Sequence, residues 1–382
     1  MFDPLFAQTF QRTGTISGIW DAVAASADGR ILLAVNGGYN GAGGLIYFSS
    51  NAGVSWKPAT APVRIWTSVA TSADGVNSVA VAYGDGVYVS TNSAATWMLT
   101  SAPLAGWNAS AASADGKKLF AAMFGGQIYS STNSGATWAP TTAPIADWYA
   151  VGASTDGSKV VAGVGGSVTV PSSVGSIYIS SDSGKTWQKT SSPINNWAYV
   201  ACSADGTKIV GVVYEGRIFT SRDSGLTWVT TSAPVNAWVG AASSADGTTL
   251  VGIPNGNQVY ISRDSGTNWT SSSILNGALW AAACSADGTR ILVADDGVPP
   301  PGGGLYLSQS NPRPVLSLTR SGTNLVASWT VPSMPFTLQV NSDLTTTNWT
   351  DLSVPAPLNY STLRNEALLS RYTTNQFFRL KH

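Results

Sequence analysis

One octapeptide recurs along most of the chain, Ser221-Arg222-Asp223-Ser224-Gly225-Leu226-Thr227-Trp228. Its other copies end at Trp56, Trp97, Trp138, Trp187 and Trp269. The copies are 41 residues apart, with a single gap of 49, and a period of that length indicates stacked supersecondary units. Each copy follows an apolar, β-branched or aromatic run, and its Gly tolerates positive φ. We therefore predict a hairpin turn at every copy.

A second motif interlocks with the first. The tetrapeptide Ser-Ala-Asp-Gly, once Ser-Thr-Asp-Gly, places its Asp at positions 28, 74, 115, 156, 205, 246 and 287. A Trp precedes it at positions 20, 66, 107, 148, 197, 238 and 280, eight residues ahead of the Asp in six copies and seven in the last. Asp-Gly between two apolar runs favours a hairpin. Each repeat thus predicts four antiparallel strands, and seven repeats predict an all-β, seven-bladed β-propeller.

The N-terminal segment supplies the strand that the last repeat lacks. The octapeptide occurs six times, because the seventh repeat runs directly into a Pro-containing segment. Phe10 precedes Trp20 by ten residues, just as Trp97 precedes Trp107. We therefore expect residues 8–14 to form the outer strand of the last blade, which removes an exposed edge and closes the ring.

The 41-residue period stops at the linker Asn311-Pro312-Arg313-Pro314. We divide the chain there into a propeller, residues 1–311, and a C-terminal module, residues 312–382. The module contains alternating runs separated by turn residues, which predicts a small β-sandwich. In strand spacing and in the position of Trp329 it is similar to fibronectin type III modules. That similarity implies a spacer, a docking unit or a sorting tag.

The octapeptide resembles the Asp-box, or BNR-like, motif S-x-D-x-G-x-T-W of β-propellers. Sialidases, xyloglucanase-type glycoside hydrolases, sortilin-type receptors and photosystem II assembly factors carry it. The resemblance implies a turn at the blade periphery and specifies no activity. A sialidase needs an Arg cluster, a Tyr–Glu pair and an Arg-Ile-Pro stretch, and Arg64-Ile65-Trp66 lacks that Pro. A xyloglucanase-type mechanism needs two carboxylates that act as acid and base.

Composition narrows the classes of function. Charged residues make up 10% of the chain and the net charge is zero, which argues against nucleic-acid and anionic-membrane partners. We find no apolar run of about 18 residues that predicts a membrane span. The single His is His382, so a catalytic triad or a His-ligated metal site is not expected. Cys202 and Cys284 occupy equivalent repeat positions, and we expect unpaired buried thiols rather than a disulfide or a nucleophile.

The N-terminus lacks the basic start and the long apolar stretch of a signal peptide. Surfaces rich in Thr, Ser and Asn and poor in charge are common in exported bacterial proteins. Two interpretations follow: the sequence is a mature form with an added Met, or the protein is not secreted by that route. We favour the first, a secreted or cell-surface protein.

Carboxylates outside the repeated turns are the catalytic candidates. The five candidates are Asp21, Asp147, Glu215, Asp295 and Asp296. Both turn motifs share one face of a propeller, the turn face, whereas the variable loops share the opposite face, the loop face, and such loops commonly carry function. Blades one and seven are neighbours in the closed ring, so we expect Asp21 to lie next to Asp295 and Asp296. This group is the first candidate for a catalytic site. With Pro299-Pro300-Pro301, Asp295 and Asp296 are also the candidate ligands of a Ca²⁺ ion.

Ligand-binding candidates come from positions that vary between repeats. The residue after each inner-strand Trp varies, and strand alternation turns it to the face opposite the Trp. On the loop face the ligand-binding candidates are Asp21, Asn108, Tyr149, Asp85, Arg64 and Arg217. The constant Trp residues have two interpretations. They pack between blades, or they form an aromatic platform on which sugars stack.

Three functions stay open at this point. The first is a non-catalytic binding or interaction module that holds a protein, a peptide or a glycan on the loop face, with no cofactor. It is favoured by the low charge and by the lack of titratable constellations. The second is a carbohydrate-active hydrolase or lyase that uses Asp21, Asp147, Asp295 or Glu215. The third is a structural surface or assembly protein, suggested by the near-identical repeats. We expect no enzymatic activity. If the protein is an enzyme, we expect a glycoside hydrolase.

Overall fold

The computed structural model describes residues 8–14, 16–38, 41–166, 174–274, 277–297, 303–310, 316–322, 324–331, 336–360, 362–369 and 376–381. All regular elements in these ranges are β-strands, and among them there is no helix that could span a membrane. Twenty-eight strands build seven four-stranded blades whose inner strands contact one another in a closed ring. The predicted seven-bladed propeller is confirmed.

Each blade runs antiparallel from the centre of the ring outward. The innermost strands are β2 (Trp20–Ala25), β6 (Trp66–Thr71), β10 (Ala105–Ala112), β14 (Trp148–Ala153), β18 (Trp197–Cys202), β22 (Trp238–Ser243) and β26 (Leu279–Cys284). The second strands are β3 (Leu32–Asn36), β7 (Ser78–Asp85), β11 (Leu119–Met123), β15 (Val160–Val164), β19 (Ile209–Val213), β23 (Leu250–Pro254) and β27 (Arg290–Asp295).

The outer half of each blade is shorter. The third strands are β4 (Ile46–Ser49), β8 (Val87–Ser90), β12 (Ile128–Ser131), β16 (Ile177–Ser180), β20 (Ile218–Ser221), β24 (Gln258–Ser262) and β28 (Leu305–Gln309). The outer strands of blades one to six are β5 (Lys57–Pro58), β9 (Met98–Leu99), β13 (Ala139–Pro140), β17 (Gln188–Lys189), β21 (Val229–Thr230) and β25 (Thr270–Ser273). The outer strand of blade seven is β1 (Gln11–Arg12).

The N-terminal strand β1 closes the ring, as predicted. Gln11 pairs with Leu307 of β28, and the Thr13 N–H donates to the Leu305 carbonyl at 2.8 Å. The Thr13 hydroxyl also accepts a hydrogen bond from the indole N–H of Trp56 at 3.0 Å. Thr13 therefore joins blade seven to the octapeptide turn of blade one.

Both repeated motifs form turns on one face, as predicted. In the octapeptide of blade five, the Gly225 N–H donates to Ser221 Oγ at 2.8 Å, and Gly225 adopts a φ of 83°. The next turn inward belongs to the Asp-Gly motif of the same blade. The Ser224 N–H donates to the Thr207 carbonyl of that turn at 2.9 Å. The two turns of a blade thus support each other.

The second residue of the Ser-Ala-Asp-Gly motif closes the ring a second time. Its N–H donates to the carbonyl of the same residue in the next blade, at 2.7–2.9 Å, around all seven blades. The members are Ala27, Ala73, Ala114, Thr155, Ala204, Ala245 and Ala286. The sequence analysis assigned the motif to the turn alone and missed this ring.

The inner-strand tryptophans pack between blades. Six of them have no exposed surface: Trp20, Trp66, Trp107, Trp148, Trp197 and Trp238. Trp238, for example, meets Tyr260 edge to face with ring centroids 5.1 Å apart, and its indole N–H donates to the Gly216 carbonyl at 3.1 Å. The packing interpretation is confirmed. The alternative of a sugar-stacking platform is wrong, because these rings are inaccessible.

Blade seven departs from the predicted pattern. Leu279, not Trp280, occupies the buried position, since Leu279 pairs with Asp295 as Trp20 pairs with Asn36. Leu279 has no exposed surface, whereas Trp280 is partly exposed. The prediction of seven equivalent tryptophans is therefore wrong. Trp280 is seven residues from the Asp of its Asp-Gly turn, against eight in the other blades, so it lies one residue beyond the buried position and faces the channel.

The C-terminal module consists of two small sheets. Its strands are β29 (Ser317–Ser321), β30 (Asn324–Thr330), β31 (Thr337–Asn341), β32 (Thr350–Asp351), β33 (Leu358–Asn359), β34 (Arg364–Leu369) and β35 (Phe377–Lys381). One sheet has the order β29-β30-β34-β33 and the other β32-β31-β35. Trp329 and Leu338 belong to one apolar cluster between them, so the predicted small β-sandwich is confirmed. The proposed boundary after residue 311 lies outside the described residues.

The C-terminal module packs on the turn face of the ring. Val331 and Leu363 cluster with Ala286, and the Tyr360 hydroxyl donates to Asp74 Oδ2 at 3.0 Å. Leu363 also lines the cavity at this end of the central channel. The module therefore covers the turn-face end of the channel.

Candidate binding site at the channel mouth

The central channel opens on the loop face into a cavity of about 730 Å³, which includes the part open to solvent. Its lining includes one equivalent residue from each blade: Asp21, Thr67, Asn108, Tyr149, Ala198, Val239 and Trp280. We call them the mouth ring. In every blade the register of the two inner strands shifts at this residue. Such a β-bulge re-aims a side chain while the rest of the blade stays regular.

A second set of residues, the rim, surrounds the mouth ring. Each rim residue directly follows the second-strand residue that pairs with the buried Trp of the inner strand, or with Leu279 in blade seven. The rim consists of Gly37, Tyr83, Phe124, Gly165, Tyr214, Asn255 and Asp296. In blades two to seven its N–H donates to the carbonyl of the residue just before that Trp or Leu279, at 2.7–3.0 Å. The rim backbone is therefore fixed, while its side chains differ from blade to blade.

Asp21 of the mouth ring is held by the rim of its own blade. Its Oδ2 accepts a hydrogen bond from the Gly37 N–H at 2.7 Å. A Cβ on residue 37 would collide with that oxygen, so only glycine permits the approach. Burial raises the pKa of Asp21 to about 7, and the like charge of Asp296 adds to the rise. The Gly37 hydrogen bond offsets part of this increase in pKa.

Polar side chains of the mouth ring are fixed by the neighbouring blade. The Asn108 Nδ2 group donates to the Tyr149 carbonyl at 3.0 Å, and the Thr67 hydroxyl donates to the Trp107 carbonyl at 3.1 Å. These bonds cross from blade two to three and from blade three to four. The mouth is thus organised before a ligand arrives, which reduces the entropy that binding would cost.

Acidic and aromatic groups meet in the cavity. Tyr149, Tyr199 and Tyr214 line it from blades four and five, while Trp280 lines it next to Asp21, because blade seven adjoins blade one. Burial raises the pKa of Tyr199 and of Tyr214 above 10, so both hydroxyls are neutral near pH 7. The described residues that line the cavity include no lysine, arginine or histidine.

The comparisons with known proteins show a shared fold. No family model matches the chain, and no curated protein matches it in sequence. YCF48 from Cyanidioschyzon merolae is similar in structure, with a TM-score of 0.60 and 14% identity over 78% of this chain and 98% of that one. A structure of YCF48 bound to D1 peptide gives a TM-score of 0.58 and 13% identity, over 81% and 96% of the two chains. The shared feature is a β-propeller.

Of the three carboxylates predicted to meet, two influence each other and the third is engaged by its own loop. Asp296 lies on the rim close enough to Asp21 to influence its pKa. Asp295 is buried, and its Oδ1 accepts hydrogen bonds from the Ala278 and Gly297 N–H groups at 3.0 Å each, so it holds its own loop. The described residues contain no cluster of three or more potential metal ligands, and residues 298–302 of the calcium hypothesis lie outside them.

The remaining candidates lie on the loop face outside the cavity. Arg64 forms an ion pair with Asp85, which also accepts a hydrogen bond from the Tyr88 hydroxyl at 3.1 Å. Glu215 and Arg217 are exposed in a tight turn, where Glu215 has a φ of 54°. The carbonyl of the fifth candidate, Asp147, accepts the Gly165 N–H at 3.0 Å. Of the predicted site residues, the cavity itself brings together Asp21, Asn108 and Tyr149.

An apolar surface around the mouth escaped the sequence analysis. Five blade-to-blade connections carry Pro followed by an aliphatic residue that is 54–75% exposed. These residues, the aliphatic ring, are Val63, Leu104, Ile145, Ile194 and Val235. The residue after each aliphatic residue pairs with the loop between the second and third strands of the blade that the connection leaves. This pairing holds the aliphatic residue on the loop face. The repeated Pro-aliphatic pair in the sequence was the signal that would have revealed this surface.

Proposed function

We propose that this protein is a non-catalytic interaction module that binds a peptide segment of a partner protein on its loop face. The aliphatic ring carries the proposal. Five consecutive blade connections expose an aliphatic side chain at the same position around one cavity. Single exposed apolar residues are ordinary, whereas a set concentrated on one face is typical of a protein contact.

The mouth ring adds a means of specificity. Each of its members is a bulge residue, whose side chain is aimed away from the regular pattern of the blade and into the mouth. The buried tryptophan beside it stays constant in six blades, while the mouth-ring residue varies between acid, amide, hydroxyl, aromatic and aliphatic. A fixed scaffold with variable positions around a cavity is suited to the recognition of one particular ligand.

Two further observations favour a peptide as the ligand. The chain has no net charge, which supports neither nucleic acid nor an anionic membrane as partner. In addition, the similar propeller YCF48 is found bound to D1 peptide. An extended peptide is able to follow the aliphatic ring and place one side chain in the mouth.

We test this function by panning a random peptide library on the protein. Selected peptides should lose about tenfold or more in affinity for a Leu104→Ser, Ile145→Ser double variant, because losing two aliphatic contacts costs on the order of 1–3 kcal/mol. The matched control is Val54→Ser with Leu226→Ser, two aliphatic residues of similar exposure on the octapeptide turns of the opposite face. Equal loss in both variants, or no selected peptide at all, would contradict the proposal.

A carbohydrate-active hydrolase is the second candidate, and Asp21 is the observation that favours it. A carboxyl group with a pKa of about 7 suits a general acid, and Asp296 would be the second carboxylate. The test is the release of reducing sugar from a glycan panel by the wild type and by Asp21→Asn. Release that disappears in Asp21→Asn would establish this candidate in place of the first.

We also infer that the chain belongs to the Asp-box family and is exported. The hydrogen bonds of the octapeptide turns support the first inference, since Ser, Asp and Gly act in the same way in blades four, five and six. The charge-poor composition supports the second. Fractionation of the native host, followed by detection with an antibody, tests the location.

A further inference from the structure

The mouth cavity has the composition of a cation site. It contains the Asp21 carboxylate, with Trp280 on the adjacent blade and tyrosines at positions 149, 199 and 214 on the far side. Aromatic faces attract cations, and a carboxylate in the same cavity adds a direct ion pair. The described lining residues supply no cationic side chain that could neutralise Asp21.

We propose that the mouth binds the ammonium group of a lysine side chain in the partner peptide. This inference rests on the proposed function, because the lysine belongs to the peptide held by the aliphatic ring. Asp21 is the counter-ion, and Trp280 with Tyr149 supplies aromatic faces.

The walls of the cavity suit the lysine stem. Ala198, Val239 and Ala22 offer apolar surface to the methylene groups, as is usual where a long charged side chain buries its stem. An ammonium group is compact and has three donors that rotate freely. The Asn108 Nδ2 group is occupied by the Tyr149 carbonyl, so its Oδ1 is the acceptor that this side chain can offer beside Asp21.

Lysine fits this site better than arginine or a peptide N-terminus. A guanidinium group is planar and pairs best with two parallel acceptors, whereas Asp21 uses Oδ2 for the Gly37 N–H. The mouth lies at the centre of the ring, inside the circle of exposed aliphatic residues. A peptide held on the aliphatic ring would enter the mouth with a long side chain.

Binding should depend on pH through Asp21. The groups that face it are Asp296 from the loop after β27, the Gly37 N–H from the loop after β3, and the cavity tyrosines. Asp295 of β27 is turned to its own loop, and β6 brings Thr67, which does not titrate. An ammonium ion favours the ionised carboxylate, so affinity should rise as pH increases through about 7, with release of a proton.

The test uses two small probes whose side chains share the same four-carbon stem, Nα-acetyl-lysine methylamide, which ends in an ammonium group, and Nα-acetyl-norleucine methylamide, which does not. The readout is the indole ¹H–¹⁵N signal of Trp280, assigned by its loss in Trp280→Phe. We expect the lysine probe to shift this signal at pH 8. Its affinity should be lower by a factor of about ten or more at pH 5.5, and likewise for the Asp21→Asn variant at pH 8. The norleucine probe should bind the wild type at pH 8 more weakly than the lysine probe by a similar factor. Asp343→Asn removes an exposed charge on the C-terminal module and is the matched control.

Each alternative outcome is decisive. Equal binding of the two probes would show an apolar cavity and overturn the inference, as would the lack of a Trp280 shift with the lysine probe at pH 8. Binding that is unchanged between pH 5.5 and 8 would exclude Asp21 as the counter-ion. Library peptides that depend on the aliphatic ring but contain no required lysine would overturn this inference and leave the proposed function intact.

Discussion

Replacing Asp21 by Asn should stabilise the protein, and by an amount that depends on pH. In the folded protein the pKa of Asp21 is about 7, against 3.8 for a free side chain. Between these values the unfolded chain has released the proton and the folded protein retains it. Stability that is fully present below pH 3.8 is therefore lost as pH rises towards 7. Asn cannot ionise and still presents an oxygen to the Gly37 N–H.

The size of the effect follows from the shift in pKa. A shift of about 3 units, at about 1.4 kcal/mol per unit, sets a ceiling of about 4 kcal/mol for the difference between Asp21→Asn and the wild type. Asp21 is partly exposed, and water screens a part of this energy. We expect the difference in the free energy of unfolding to be near zero at pH 4 and to reach a plateau of about 2–4 kcal/mol above pH 7.

Urea denaturation between pH 4 and 8, followed by tryptophan fluorescence, measures this difference. Asp182→Asn is a control of opposite sign, because hydrogen bonds from Thr186 lower the pKa of Asp182 to about 2. Its stabilising contribution is present above pH 3.8 and is lost as pH falls towards 2. A difference between Asp21→Asn and the wild type that does not change from pH 4 to 8 would refute the reasoning.

Three further predictions concern the ring, blade seven and the module. Thr13→Val should cost about 1–3 kcal/mol of unfolding free energy, because it leaves the Trp56 indole N–H without its acceptor; an unchanged urea midpoint would contradict this. Trp238→Ala should cost about 3–5 kcal/mol and Trp280→Ala much less, because Trp280 is partly exposed in the channel; equal losses would contradict the register shift. Leu363→Asp should detach the C-terminal module and increase the radius of gyration in X-ray scattering, whereas an unchanged radius would argue against its contact with the channel.

The thiols are unpaired, as the sequence analysis predicted, but they are partly rather than fully buried. Cys202 and Cys284 are unpaired and line the turn-face end of the channel. Burial raises the pKa of both thiols to about 12, which makes them poor nucleophiles near pH 7.

Much of the fold was predictable because each blade repeats a local pattern. The spacing of the octapeptide tryptophans fixed the strand order, and the spacing between Phe10 and Trp20 predicted β1. These features depend on neighbouring residues in sequence, namely turn glycines, β-branched runs and Asp-Gly pairs. Alternation along the inner strand likewise predicted that Asp21, Asn108 and Tyr149 face away from the buried tryptophans.

The rest depends on register and on contacts between distant segments. The bulge has the same position in all seven blades, and in blade seven the Trp falls one residue later, on the bulge itself. Matching Trp280 to the other tryptophans by identity therefore placed it on the wrong face. The use of Asp295 by backbone N–H groups and the pairing of Arg64 with Asp85 arise from loop conformations that no spacing specifies. The contact of Leu363 with the turn face joins parts of the chain that share no repeat.

The location of the bound peptide tests the account most directly. A library peptide that carries a photo-crosslinking residue is irradiated on the protein, and the labelled protein residues are identified by mass spectrometry. We predict labels on the mouth ring and the aliphatic ring, above all at Tyr149, Trp280 and Ile145. Labels on the octapeptide turns around Leu226, or on the C-terminal module, would contradict the assignment of the loop face as the binding surface.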